Sequence, residues 1–138
     1  MRLSRQTKVG LLKPIPLFAG CSRSELEAVS RVADELWFAP GRVIMQQGTP
    51  GRELVVLVDG EVTIERNGKK IATRRSGDFF GELALVTGRP RSASVIAATE
   101  LQTLVLDGRS FDRLLRDVPT IAAKVLKAVA ERLPAVDD

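Results

Sequence analysis

Between Phe80 and Ser94 the sequence reads FGELALVTGRPRSAS, one carboxylate and two arginines set among apolar residues. Gly81 to Val86 reads as a single helical turn placed between strands. Its first backbone N–H groups lack internal partners and favour an anion. Arg91 follows just beyond the turn and offers two parallel hydrogen bonds to the same anion. Ser92 adds a hydroxyl and a further N–H. Glu82 cannot bind a phosphate, but it accepts hydrogen bonds from hydroxyl groups. With walls from Leu83, Ala84, Leu85 and Val95, these residues make the donor and acceptor set for a sugar phosphate. The alternative use of the same residues is a structural Glu82–Arg91 ion pair, with Gly81 marking a bend.

Other chemistries lack their parts. The chain has no histidine, no tyrosine and one cysteine. A Ser-His-Asp or Cys-His site cannot be built from it, nor a His-ligated metal centre. Carboxylate-pair or lysine chemistry stays open in principle, but a non-catalytic protein is expected. The single Cys21 cannot form an internal disulfide, and no run approaches the ~20 apolar residues of a membrane span. A cytoplasmic protein without a membrane span is the expectation. Cys21 itself reads as a small hydrophobe at a helix entry.

The elements that must position the 80–94 stretch follow from periodicity. The 138 residues suit a single domain over 1–138, with 44% hydrophobic and 28% charged residues as in ordinary soluble proteins. The net charge of +4 comes from residues 1–13, where Arg2, Arg5, Lys8 and Lys13 face no acid. They read as a solvated basic N-terminal arm. Residues 11–20, broken by Pro14 and Pro16, read as a short helical turn and a packed loop. Ser22 and Glu25 form a capping box opening a helix through Leu26, Val29, Val32 and Ala33.

From Leu36 to Leu106 the period shortens to that of strands: 36–38, 42–46, 53–59, 61–66, 70–75, 92–98 and 101–107. Asn67-Gly68 signals a two-residue hairpin, and Asp59-Gly60 similarly joins two runs. Trp37 and Phe38 are expected in the core or partly buried on a strand. Asp107 caps a helix whose Phe111, Leu114 and Leu115 share a face, and Pro119 opens a last helix that Pro134 ends. The predicted fold class is α+β: an antiparallel β-barrel or jelly roll with a short helix at 81–86, an N-terminal helix and two C-terminal helices.

The order F-G-E-x-A-L-x(4)-P-R-S-A resembles the phosphate-binding cassette of the cyclic-nucleotide-binding domains. That family includes cAMP-receptor regulators, kinase regulatory subunits and cyclic-nucleotide-gated channels. PLFAG (16–20), APGRVIMQQGTPG (39–51) and LVVLVDGEVTI (54–64) resemble its entry segment, early strand and central hairpin. The resemblance implies a ligand, cAMP or cGMP, rather than a cofactor. It places Glu82 on the ribose 2′-hydroxyl, Arg91 on the cyclic phosphate, and Gly81 and Ala84 in close backbone contact. Phe80, Leu83, Ser92 and Ala93 complete the implied ligand-binding set, and Arg89 falls outside it as a solvated residue. Ser92, where a Thr tends to go with cGMP, favours cAMP.

The last two helices, over 108–134, match the family's hinge and lid, with Val125, Leu126, Val129 and Leu133 as candidate lid residues over the purine. The same four residues suit core packing equally well. The implied function is a sensor that signals to an effector protein of unknown identity by moving its C-terminal helices. The alternative is a ligand-independent interaction barrel that retains the cassette. Only five residues follow Leu133, so no helix-turn-helix for DNA is expected. The basic arm alone would give weak, salt-sensitive attachment to nucleic acid.

Overall fold

The computed structural model describes residues 5–132. Three helical pieces come first: α1 (Arg5–Leu12), a 3-10 turn (Pro16–Phe18) and α2 (Arg23–Val32). Eight strands follow: β1 (Asp34–Phe38), β2 (Val43–Met45), β3 (Glu53–Asp59), β4 (Glu61–Arg66), β5 (Lys69–Arg75), β6 (Phe79–Phe80), β7 (Ser94–Ala97) and β8 (Leu101–Asp107). Helix α3 (Glu82–Thr87) separates β6 from β7, and α4 (Gly108–Asp117) and α5 (Pro119–Arg132) close the order. The strands form two four-stranded antiparallel sheets, ordered β1-β8-β3-β6 and β2-β7-β4-β5. This is the α+β jelly-roll arrangement the strand spacing predicts.

The sheets meet around one core and the helices cover a second. Val55, Leu57, Val62, Ile64, Val95, Leu101 and Val105 pack between the sheets. Leu54, Val56, Leu104 and Leu106 face the other way, against Leu26, Val29, Phe111, Ile121 and Val125 of the helices. Thus β3 and β8 are buried on both faces, which is why ELVVLVD and LQTLVLD read as near-continuous apolar runs rather than alternating ones. Thr103, fully buried within β8, donates its hydroxyl to the Leu36 carbonyl at 2.7 Å, which removes the cost of burying it.

Local signals are executed as written. Ser22 Oγ accepts from Glu25 N at 3.1 Å and Glu25 Oε1 from Ser22 N at 2.7 Å, a complete capping box. Asp107 Oδ1 accepts from Ser110 N at 2.8 Å and opens α4. Asn67 and Gly68 take positive φ (54° and 78°) between β4 and β5, the geometry that matches a hairpin to strand twist.

Several expectations are corrected. Residues 5–12 of the basic arm are helical, and α1 packs on α2 through Val9 and Leu12. Lys8 is buried, its Nζ donating to Ala33 O at 2.6 Å and Ser30 O at 3.4 Å, so it satisfies carbonyls at the end of α2 instead of meeting solvent. Residues 54–64 are not a hairpin, because β3 and β4 belong to different sheets and Asp59-Gly60 carries the chain across. There Gly60 has φ 118°, and a Cβ would stand 2.6 Å from the Glu100 carbonyl oxygen. Trp37 is 55% exposed on the edge strand β1, with Phe38 half-buried. Cys21 packs partly buried against the helix-side core, where burial and Glu25 push its thiol pKa up. No helix among the described residues is long and apolar enough to cross a membrane.

Candidate functional site

The chain reaches the site through a turn only glycine can make. After β6, Gly81 takes φ 99° and caps α3. A Cβ there would lie 2.6 Å from the Glu53 carbonyl oxygen and 2.9 Å from Arg91 Nη1, so any side chain would be strained and would clash. Gly51 is equally constrained, since a Cβ would come within 2.2 Å of Ala84 Cβ. The 51–53 segment and α3 therefore press together around the Arg91 guanidinium. The backbone of Arg91 is held by the preceding turn, its N–H donating to Thr49 O at 2.8 Å and its carbonyl accepting from Gly48 N at 2.9 Å.

Arg91 is 8% exposed and has no carboxylate partner at contact distance among the described residues. Its Nη1 donates to Gly81 O at 3.0 Å and its Nη2 to Glu53 O at 2.9 Å. Burial lowers its pKa, with Glu53 and Glu82 partly offsetting. Guanidinium stays charged through such shifts. The result is a buried cation oriented by neutral carbonyls, with its charge uncompensated at contact distance.

Glu82 is 2% exposed and pairs with α5 rather than with Arg91. Its Oε1 accepts from Arg132 Nη1 at 2.9 Å, whereas Oε2 has no hydrogen-bond partner within the described residues. Arg132 also donates from Nη1 to Phe79 O at 2.5 Å and from Nη2 to Asp78 Oδ1 at 2.6 Å, and it stacks 4.8 Å from the centre of the Phe79 ring. Burial opposes the Arg132 charge, but Glu82 and Asp78 outweigh it and raise the pKa. The Glu82–Arg91 ion pair open to the sequence is not the pair that forms.

Both groups border one cavity of about 420 Å³. Phe80, Gly81, Glu82, Leu83, Ala84, Arg91, Ser92 and Ala93 all line it, as does Val95. Leu85 turns away and packs against the helix-side core, and Arg89 is exposed. The expected lid is corrected: Val125 and Val129 are buried in the helix-side core and Leu126 is 69% exposed, so none of the three lines the cavity. Leu133 lies outside the described residues. The α5 residues that do reach the cavity are Glu131 and Arg132. Met45, Ile64, Arg66, Ile71, Ala72 and Arg74 are the other lining residues the motif did not reveal. For the two arginines the signal is a charged side chain at an inward strand position.

Comparison with known proteins fits this geometry. The cyclic nucleotide-binding domain family matches residues 35–118. A cAMP-dependent protein kinase regulatory subunit of Hypocrea atroviridis is 34% identical over 114 residues, which cover 83% of this chain and 25% of that relative. The regulatory domain of Toxoplasma gondii PKA, solved with cAMP, superposes with a TM-score of 0.80 at 27% identity, over 90% of this chain and 49% of that one. The regulatory subunit of a cAMP-independent protein kinase A from Trypanosoma brucei gives 0.84 at 26% identity, over 93% and 46%. The chain thus spans about a quarter of that curated relative and about half of each of these structures.

Proposed function

This chain belongs to the cyclic nucleotide-binding domain family, and we propose that its cavity binds a 3′,5′-cyclic nucleotide, cAMP in preference to cGMP, without turning it over. One observation carries the reading: among the described residues, a buried guanidinium that no carboxylate contacts and a buried carboxylate with one unbonded oxygen border the same cavity. A phosphodiester gives Arg91 a charged partner, and a ribose hydroxyl gives Glu82 Oε2 a donor. The fold alone does not choose the ligand, because the similar structures include one solved with cAMP and one described as cAMP-independent. Cassette residues must choose, and Ser92 after Arg91 supports cAMP.

The proposed output is a change in the position of α4 and α5, read by an effector protein. Arg132 supports this link, since it ties α5 to the Glu82 carboxylate and to Asp78 beside β6. A ligand hydroxyl that donates to Glu82 shares the carboxylate with Arg132, which couples binding to helix position.

Calorimetric titration of refolded, nucleotide-stripped protein with cAMP and with cGMP tests the assignment. Tight cAMP binding is expected. Arg91→Ala should cost roughly 2–5 kcal/mol, about 30-fold to several-thousand-fold in Kd, because the buried phosphate loses its charged partner. Retained affinity in Arg91→Ala overturns the assignment, and no heat from either nucleotide points to a ligand-independent interaction module.

A further inference from the structure

The wall of the cavity opposite α3 breaks the alternation that the jelly roll imposes elsewhere. Along β4, Val62 and Ile64 are buried in the inter-sheet core, and the period of two carries the same face to Arg66. On β5 the residues opposite Val62 and Ile64 are Arg74 and Ala72. Both arginines line the cavity. Apolar residues would be the consistent choice on this face, and a charge that violates the local pattern marks a functional position.

The two arginines are not equivalent. Arg74 Nε lies 3.4 Å from Asp78 Oδ2, so its charge is answered within the protein. Arg66 has no carboxylate partner among the described residues. Its Nε donates to the Ser92 carbonyl at 3.1 Å, which fixes the guanidinium beside the residue that follows Arg91. Both Nη groups remain free of any partner within the described residues. The edge of the cavity at Arg91 and Ser92 therefore holds two arginines that no carboxylate contacts among the described residues. Arg74 and Arg132 are instead paired with Asp78 and Glu82.

We propose that Arg66 is a second cationic contact for the ligand's phosphate, so that the cavity grips a phosphodiester between guanidiniums from β4 and from the start of the β7 segment. This rests on the cyclic-nucleotide reading above and names a specificity residue for it. The role of Arg66 is to favour a ligand whose anionic group lies at the Ser92 edge, over uncharged nucleosides of the same shape.

Titration of cAMP and of adenosine into wild type, Arg66→Ala and Arg66→Lys at low and high salt tests it. Arg66→Ala should weaken cAMP binding roughly tenfold at low salt, with a shallower salt dependence than wild type because one screened charge contact is gone. Adenosine binding should not change. Arg66→Lys, which keeps the charge but not the Nε hydrogen bond to Ser92, should recover most of the affinity and the full salt dependence. Unchanged cAMP affinity and salt dependence in Arg66→Ala overturns the proposal. So does a loss that Arg66→Lys fails to recover, because that outcome assigns Arg66 to holding the Ser92 carbonyl. Wild type that binds no cAMP defeats the underlying reading instead, and Arg91→Ala alongside separates the two failures.

Discussion

Glu82 is flanked by arginines on two sides, and the difference between them defines the site. Arg91 is held by carbonyls and kept available, whereas Arg132 is committed to Glu82, Asp78 and the Phe79 carbonyl. Truncating Arg132 leaves Glu82 buried with neither oxygen paired, which costs more than the pair itself contributes. Arg132→Ala should lower unfolding stability by about 3 kcal/mol, at the low end for a buried pair because Arg132 keeps some solvent contact. Hydrogen exchange should quicken in the last turn of α5 and stay unchanged in β4 and β5. Equal stability in denaturant titrations, or exchange spread evenly over the chain, contradicts the anchoring role. The cassette carboxylate and arginine were legible because their spacing is constrained by a tight turn and a strand start. Arg132 was not, since a cation at the end of an amphipathic helix looks like any solvated or dipole-compensating residue.

Among the elements, α4 shows how a local sequence signal governs a part that the proposed mechanism moves. Its N-cap, Asp107, has its pKa lowered chiefly by the hydrogen bond from the Ser110 N–H, with burial opposing slightly. A carboxyl depressed in the folded state contributes stability that is full above its unfolded pKa near 3.8 and is lost as pH falls below it. Asp107→Ala should cost about 1 kcal/mol at neutral pH, and its difference from wild type should shrink in acid. Asp107→Asn retains the cap without the titration, so its stability should follow pH less steeply over the same range. Urea midpoints of the three proteins between neutral pH and pH 3 check this. The caps, the Asn67-Gly68 hairpin and the limits of β3, β4 and β8 were all readable, since each depends on adjacent residues. Helix α1 and the two-residue β6 were not. The first is buried through Val9 and Leu12 inside a stretch that reads as a basic arm, and the second is too short to show a period.

For the whole molecule, what escaped the sequence is which strand lies beside which. Asp59-Gly60 reads as a hairpin turn, yet β3 pairs with β8 and β6 while β4 pairs with β7 and β5. Pairings between strands that do not follow one another in the chain are decided by which faces need cover, and no local signal carries that choice. The arrangement leaves β3 and β8 as a wall shared by both cores, with Leu54 on the helix side and Leu57 between the sheets. Leu54→Ala and Leu57→Ala should each cost about 2–5 kcal/mol. Both variants should still unfold in a single transition, with Trp37 fluorescence on β1 and far-ultraviolet dichroism giving coincident curves; separated curves would show that the layers melt apart. A shared wall makes the domain one cooperative unit. Loosening either layer strips cover from the strands that the other requires, so helices and barrel are gained and lost together.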